Sequence, residues 1–341
     1  MAAIGIDTHK DSLAACLVDA LGAALDERTF ANDPMGHRAL LDWLLARAPE
    51  ATVGIEGSAS FGAAAARYLV AAGRSVREVP PQLSRRERTR TRRAGKSDPG
   101  DALAIARVTV RESDLPPVRL ADRSHDIQLL VEAREDVVGE MTRARNRLHA
   151  DLRSLVPGYG ASAANLTAGR HQRTVARLLR GRPEVRAELA RARLAELRRL
   201  ALEERRLAAR IAALVAGHPL LDLPGAGVLV TAKLVGEIGD IGRFRSAAAF
   251  AALAGVAPIP ASSGQTRRMR LNRGGNRQLN RALHTIALIQ AWHHPPARAY
   301  VARKRAEGKT WREALRALKR QLVRTVFRLL QAGAGSVRLA A

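Results

Sequence analysis

The chain has 341 residues, 47% of them apolar, enough for two or three domains with real cores. Lys and Arg total 57 against 32 Asp and Glu, a formal charge of +25 that points to a polyanionic partner; Arg, whose planar fork suits phosphate, strongly outnumbers Lys. Charges interrupt every apolar stretch before the roughly 18 to 20 residues a membrane span needs, which excludes an integral membrane protein, and the scarcity of aromatics (3%) excludes a broad base-stacking surface.

The N-terminus enters an apolar run directly, without the cationic and apolar regions of a secretory signal. The lone cysteine, Cys16, fits a reducing compartment and reads as a small core residue. A cytoplasmic, nucleoid-associated protein is expected. Residues 3–120 alternate strand and helix: AAIGID and SLAACLVD as strands, GHRALLDWLLARA as a helix, ATVGIEGS as a strand, FGAAAARYLVAAG as a helix and SVREVP as a strand. Such alternation predicts an α/β sheet. Asp7 ends the first strand and Glu56 the strand in TVGIEGS, so adjacent strand ends would bring the two carboxylates to one edge of the sheet, where open α/β sheets place ligands.

The stretch LSRRERTRTRRAGK follows, with Arg85, Arg86, Arg88, Arg90, Arg92, Arg93 and Lys96 against one carboxylate, Glu87. By itself it reads as a solvated basic loop. It runs into KSDPGDALAIARV, where Asp98 and Asp101 share a face at a helix start. Taken alone, Asp98 as N-cap, Pro99 in the first turn and Asp101 beside them make a capping arrangement. Taken with Asp7, Glu56 and the neighbouring cations, they form the hard-oxygen set that metal-assisted phosphodiester chemistry requires, with positive charge to recruit an anion the carboxylates would repel.

From 121 to 215 the chain reads as helical. Val138, Met141, Leu148, Leu152 and Leu155 recur at three- and four-residue steps with Arg145 in one slot, and Leu197, Leu200, Leu207, Ile211 and Leu214 do likewise with Glu204 intruding. Two such helices around VPGYGASAANLTAG predict an antiparallel coiled-coil arm, a common dimerisation device; two ordinary amphipathic helices packed on their own domain are the alternative. At DLPGAGVLVTAKL the Pro-Gly-Ala-Gly turn before an apolar helix has the form of a helix-hairpin-helix, whose backbone N–H groups hold a DNA phosphate, or of a plain glycine turn. The terminal KTWREALRALKRQLVRTVFRLL is a basic amphipathic helix expected to cover a core.

Together GIDTHK, GIEGS and KSDPGDA resemble the Asp-Glu-Asp-Asp signature of the RuvC-like, ribonuclease H-fold domain of IS110-family transposases, and residues 223–283, from LPGAG to GNRQLNRAL, resemble that family's C-terminal transposase domain. The resemblance covers nearly the whole chain in family order. It implies a ribonuclease H-like domain over 1–120, a helical coiled-coil arm over 121–215, and a mostly α-helical transposase domain over 216–341. It implies that Asp7, Glu56, Asp98 and Asp101 bind Mg²⁺ or Mn²⁺. It also implies a serine nucleophile in PASSGQ, matching Ser263 with Ser262 as the adjacent alternative. Arg267, Arg268, Arg270 and Arg273 follow at once, a cluster able to hold a phosphate near that hydroxyl or, alternatively, a solvated basic loop.

The implied activity is strand cleavage and exchange through a phosphoserine intermediate on double-stranded DNA of the element ends and target. The resemblance further implies guidance by a bridge RNA, as in some members of the family, and a homodimer that assembles into a tetramer with a composite catalytic centre. One departure stands out: the family often has Arg after the Leu of GNRQLNRAL, where this chain has Asn280 followed by Arg281. The competing readings are a RuvC-type junction endonuclease that uses water, a catalytically silent nucleic-acid-binding remnant, and a sugar-kinase-like ATPase, which the charge and the missing phosphate-loop pattern disfavour. His293 and His294 read as helix-end residues.

Overall fold

The computed structural model describes residues 2–90, 98–118, 122–163, 165–260, 269–270, 272 and 274–338. The chain divides into two compact units, residues 1–121 and 122–341.

In the first unit, strands β1 (Ala3–Thr8), β2 (Ser12–Val18), β3 (Ala24–Ala31), β4 (Thr52–Ile55) and β5 (Val76–Glu78) form one sheet in the order β3-β2-β1-β4-β5. The three-residue connection after β1 is too short for a crossover, so β2 returns antiparallel, and β3 returns again beyond a turn in which Asp19 Oδ1 accepts from the N–H groups of Leu21 and Ala23. Helix α1 (Pro34–Arg47) then carries the chain across to β4, parallel to β1, and α2 (Ala63–Ala71) to β5, parallel to β4. This mixed sheet, with helices packed on both faces, agrees with the ribonuclease H-like expectation for the N-terminal domain. Strand β3 was not among the strands expected. It is an edge strand, exposed along most of its length, and its polar sequence ALDERTFA hid it.

Alternation along β1 separates the two faces. Ile4 and Ile6 pack with Val53, Ile55, Leu40, Leu44 and Leu69 under α1 and α2. Ala3 and Gly5 face the opposite way, towards helix α4 (Asp98–Arg111), where Ala3 joins Cys16, Ala102 and Ala106. At Gly5 a Cβ would stand 2.2 Å from the Ala106 backbone nitrogen and 2.3 Å from the Ala102 carbonyl oxygen, so the helix rests on bare backbone. Gly54 does the same on β4, where a Cβ would meet Thr109 Oγ1 at 1.8 Å. Cys16 is fully buried in this layer, and burial together with the nearby Glu27 pushes its thiol up to about 12, which suits a core residue and not a nucleophile. The basic run begins as a helix and not as a loop: α3 spans Pro81–Arg90, with Ser84 and Glu87 buried and Arg85 and Arg86 exposed.

In the second unit, α5 (Arg123–Leu155) and α8 (Val185–Val215) lie antiparallel, with the short helices α6 (Gly160–Ala163) and α7 (Gly169–Leu178) between them in sequence. Ile127 and Val131 near the start of α5 pack with Ile211 and Val215 at the end of α8, while Leu148 and Leu152 pack with Leu194 and Leu197. The seam differs from the sequence reading by one position: Val137 and Ala144 are buried, whereas Val138 is exposed. Glu204 has a reason to interrupt the apolar spacing, because it pairs with Arg134 across the two helices.

Beyond a 3₁₀ turn (Pro219–Asp222) come α9 (Val228–Ile238), a second 3₁₀ turn (Ile241–Arg243), α10 (Ala247–Leu253), the two-stranded hairpin β6 (Ile259–Pro260) and β7 (Met269–Arg270), then α11 (Arg277–His293), α12 (Pro295–Ala306) and α13 (Trp311–Arg338). Leu315, Leu318, Leu322, Val326 and Leu330 give α13 an apolar stripe at helical spacing that packs against Phe250, Leu283 and Ile286, so this helix does cover a core. Gly225 holds a φ of 88° in the turn before α9, and a Cβ there would meet the Ile286 backbone at 3.2 Å, which gives the Pro-Gly-Ala-Gly turn a packing reason. No helix among the described residues is long and apolar enough to cross a membrane.

The contact at Gly5 sets the position of α4, and a single methyl tests it. Gly5→Ala is expected to lose about 1–3 kcal/mol or more in denaturant unfolding through overpacking against backbone that cannot rotate away. Gly139→Ala, in the open middle of α5 with Arg143 Nη1 3.6 Å away, is expected to gain up to about 1 kcal/mol. Equal effects would remove the steric account.

Candidate active site

The carboxylates of the first unit are positioned by the sheet and the helix laid across it. Asp7 lies on β1 two residues beyond Gly5, on the α4 face. Glu56 follows β4 directly; its N–H donates to the Ile6 carbonyl at 3.2 Å, and its own carbonyl accepts from Thr8 Oγ1 at 2.9 Å. Asp7 and Glu56 thus occupy neighbouring positions on adjacent parallel strands, about 4.8 Å apart in the pairing direction. Asp101 sits in the first turns of α4, one residue before the Ala102 carbonyl that rests on Gly5, and is only 4% exposed. Asp98 begins the same helix; its side chain lies outside the described residues.

Each described carboxylate has a polar neighbour. His9 Nε2 is 3.2 Å from Asp7 Oδ2. Ser84, fully buried on α3, donates its hydroxyl to Glu56 Oε2 at 2.5 Å. Arg88, one helical turn beyond Ser84, places Nη1 3.2 Å from Asp101 Oδ1. Helix α3 therefore turns one face inward, Ser84 to Glu56 and Arg88 to Asp101, while Glu87 takes Arg111. Of the basic run, Arg85 and Arg86 point to solvent and Arg88 points to the carboxylates. Arg92, Arg93 and Lys96, and the side chain of Arg90, lie outside the described residues.

Sequence reasoning missed three of these groups. Ser84 was hidden inside a run read for its charge, although the helical step from Ser84 to Arg88 was available. His9 follows Asp7 by the two-residue period that keeps strand side chains on one face. Glu78, at the end of β5, is the third. Its carboxyl is buried beside the turn of Gly57 and Ser58 that follows Glu56, where Gly57 adopts a φ of 78°. Burial, with the Glu56 charge adding to it, raises the Glu78 pKa above the ordinary carboxylate range.

Asp7, Glu56 and Asp101 are the hard oxygen donors that a divalent cation such as Mg²⁺ takes, and all three belong to the interface between the β1/β4 ends and α4. Among the described residues no three His, Cys, Asp or Glu side chains stand close enough to hold one ion. The donor set fits a hard cation in its chemistry, while two of its members are engaged by Ser84 and Arg88.

In the second unit, the hairpin β6–β7 brackets residues 261–268, with Pro260 opposite Met269. Ser262, Ser263, Arg267, Arg268 and Arg273 lie outside the described residues; Arg270 is described and exposed. Asn280, at the departure from the family pattern, is structural here. Its Nδ2 donates to the carbonyls of Ala254 and Gly255 at 3.0 and 3.1 Å, and its Oδ1 accepts from Lys319 Nζ at 2.8 Å. Gly255 (φ 66°) and Gly275 cross so closely that a Cβ on Gly275 would stand 2.3 Å from the Gly255 nitrogen.

Comparison with known proteins follows the same division. The DEDD model of IS110 elements, described as a transposase, matches residues 4–157. A second model, described as the transposase IS116/IS110/IS902 family, matches residues 217–302. The 43.6 kDa protein of insertion element IS110 from Streptomyces coelicolor is 29% identical, covering 97% of this chain and 94% of its own. The 42 kDa protein of insertion element IS900 from Mycobacterium paratuberculosis is 27% identical over 96% and 95%. The 44.8 kDa protein of IS116 from Streptomyces clavuligerus is 28% identical over 96% and 94%. Among solved structures, T. thermophilus RuvC in complex with a Holliday junction substrate covers 35% of this chain and 99% of its own at 21% identity and a TM-score of 0.29, a likeness too slight to carry the fold.

A carboxylate-bearing nuclease-type domain in one chain with a transposase domain defines a DNA-cleaving transposase or recombinase enzyme. The chain belongs to the IS110 family of transposases.

The raised pKa of Glu78 has a signed consequence. Its contribution to stability is fully present below the ordinary carboxylate pKa and is lost as pH rises through the raised folded value. Glu78→Gln, which keeps the size of the side chain and removes its charge, is expected to gain on the wild type in thermal unfolding as pH rises from 4 to 8. A constant difference between the two proteins across that range would show that Glu78 does not titrate with folding.

Proposed function

We propose that this protein cleaves and exchanges DNA strands at the ends and target of an insertion element through a covalent phosphoserine intermediate. The observation that supports the reading is that helix α3 reaches two of the carboxylates, with Arg88 Nη1 3.2 Å from Asp101 Oδ1 and the Ser84 hydroxyl donating to Glu56 Oε2, while Asp7 lies on the adjacent strand. In this reading Asp7, Glu56, Asp98 and Asp101 would hold Mg²⁺ or Mn²⁺. The bound cation supplies charge stabilisation to the phosphate oxygens of the phosphodiester.

The remaining chemistry falls to the chain. Ser263, with Ser262 adjacent, provides the nucleophilic Oγ. Its bond to phosphorus forms as one phosphorus–oxygen bond to a deoxyribose breaks, the serine gives up its proton, and the departing sugar oxygen takes one up. Attack by the hydroxyl of an exchanged strand reverses these events and releases the serine, so a phosphodiester is conserved and no external energy source is needed. Arg267, Arg268, Arg270 and Arg273 hold the phosphate against Ser263, and Arg85, Arg86, Arg90, Arg92, Arg93 and Lys96 track the DNA backbone. Arg88 and Ser84 orient Asp101 and Glu56.

A bridge RNA provides sequence recognition by pairing with donor and target. That division of labour suits a chain rich in phosphate-binding groups and poor in aromatics. Serine and carboxylates on different copies require dimers joined into a tetramer, and the α5/α8 pair is the element offered for dimerisation. The Pro-Gly-Ala-Gly turn before α9 offers backbone N–H groups for a further phosphate.

The test is a suicide DNA substrate carrying the element junction, incubated with purified protein, Mg²⁺ and RNA transcribed from the element flanks, and resolved on denaturing gels. Wild type and Ser262→Ala are expected to form a covalent protein–DNA adduct. Ser263→Ala is expected to form none, and Asp7→Ala at least about 100-fold less, in line with loss of transition-state charge stabilisation. Cleavage without an adduct that survives both serine changes would identify a water-using junction nuclease instead, and binding without cleavage a silent remnant.

A further inference from the structure

The terminal helix covers a core with one face and builds a cavity with another. The turn at Gly255, Val256, Ala257 and Pro258, the hairpin residue Arg270 and the first half of α13 enclose a cavity of about 680 Å³. Its charged lining is Arg270, Lys309, Arg316, Lys319 and Arg320 against one carboxylate, Glu313. That carboxylate is already engaged. Its Oε2 accepts from the Thr310 N–H at 2.9 Å and the Thr310 hydroxyl at 2.8 Å, and its Oε1 stands 3.9 Å from Arg316. A second cavity of about 720 Å³ adjoins the first, shares Asn272, Arg316 and Lys319 with it, and has no carboxylate among its lining residues.

Two side chains show that this is more than a solvated basic surface. Arg320 buries its Nη1 with no hydrogen-bond partner among the described residues, an arrangement that costs free energy unless an acceptor comes to it. Lys319 is only 6% exposed, and its Nζ donates to Asn280, whose amide in turn grips the carbonyls of Ala254 and of Gly255, a residue that lines the same cavity. Burial and the charge of Arg316 both lower the Lys319 pKa, and an anion in the cavity would counter each effect. Clustered like charges in a concave, partly desolvated site are a standing demand for a polyvalent anion.

We propose that this cavity is a nucleic-acid backbone site, in which Lys319 and Arg320 receive one phosphodiester and the adjoining cavity receives the next along the same strand. The proposal rests on the reading of the chain as a nucleic-acid enzyme, but not on its catalytic residues. It assigns to α13 a binding role in addition to its packing role. It also accounts for Asn280, whose amide fixes Lys319 at the wall shared by the two cavities.

The test uses the full chain in EDTA, so that binding is read without cleavage and a failure of the strand-exchange chemistry leaves the result intact. Labelled duplex DNA and a labelled structured RNA are titrated by fluorescence anisotropy across a series of NaCl concentrations. Arg320→Gln and Lys319→Met are each expected to weaken binding of at least one of the two roughly tenfold and to lower the salt slope by about one, the signature of one lost phosphate contact. Arg320→Lys is expected to keep the slope, which separates lost charge from lost folding.

Arg199→Gln, an exposed arginine of α8 paired with Glu203, is expected to leave affinity and slope unchanged. Unchanged binding in the cavity variants, or an equal loss in Arg199→Gln, would overturn the proposal. So would saturable thermal stabilisation by inorganic phosphate that Arg320→Gln abolishes while nucleic-acid binding persists, since the cavity would then be a small-anion site.

Discussion

The first unit depends on one contact, the direct meeting of the α4 backbone with the backbone of β1 at Gly5. A helix normally stands about 10 Å from a sheet on a layer of side chains. Here two glycines, Gly5 and Gly54, and the small residues Ala102 and Ala106 let it descend onto the strands. The consequence is chemical as well as mechanical. Asp101 lies one residue before the contact on the helix, Asp7 two residues after it on the strand, and Glu56 two residues after Gly54 on the neighbouring strand. A bulkier layer would lift Asp101 away from the strand ends and separate donors that the proposed chemistry needs together.

Positive charge in this chain serves two different ends. Inside the first unit buried carboxylates are met by cations: Asp101 by Arg88, and Glu87 by Arg111, which also pairs with Glu112. Such pairs hold buried carboxylates in place at the cost of desolvating both partners, so they are better understood as positioning devices than as sources of stability. In the second unit the cavity beside α13 has cations in excess of carboxylates and a buried guanidinium nitrogen without an acceptor, which is the electrostatic opposite. The first pattern is satisfied within the protein, and the second leaves cations without matching carboxylates.

Particular residues show how far a sequence can be read and where it stops. The Ile4 and Ile6 alternation, the helix over 34–47 and the strand before Glu56 were legible because burial on one face imposes a period of two or 3.6 on the chain. Strand β3 was not legible, since an edge strand is held by its backbone hydrogen bonds to β2 and leaves most of its side chains free to be polar. The seam between α5 and α8 was legible as a helix pair and misread by one position at Val138, because Ala144, and not a large residue, fills a central slot. The carboxylates at 7, 56 and 101 could be named in advance, while Ser84 was masked by the charge of the run around it and nothing in its own segment marks Glu78.

What the sequence determined by itself is therefore what local periodicity, charge and motif spacing record: the buried strands of the first domain and the helices between them, the family, and an overall excess of cations. What only the tertiary structure decided is which of those charges meet each other and which remain to meet something else. Arg85 and Arg88 are indistinguishable in a basic run, yet one faces solvent and the other a carboxylate. Lys319 and Asn280 are 39 residues apart and carry no shared motif, yet they stand 2.8 Å from one another. Those outcomes depend on the angle at which one element crosses another, and that angle is set by side-chain volumes at contacts far apart in the chain, such as the missing Cβ atoms at Gly5 and Gly255.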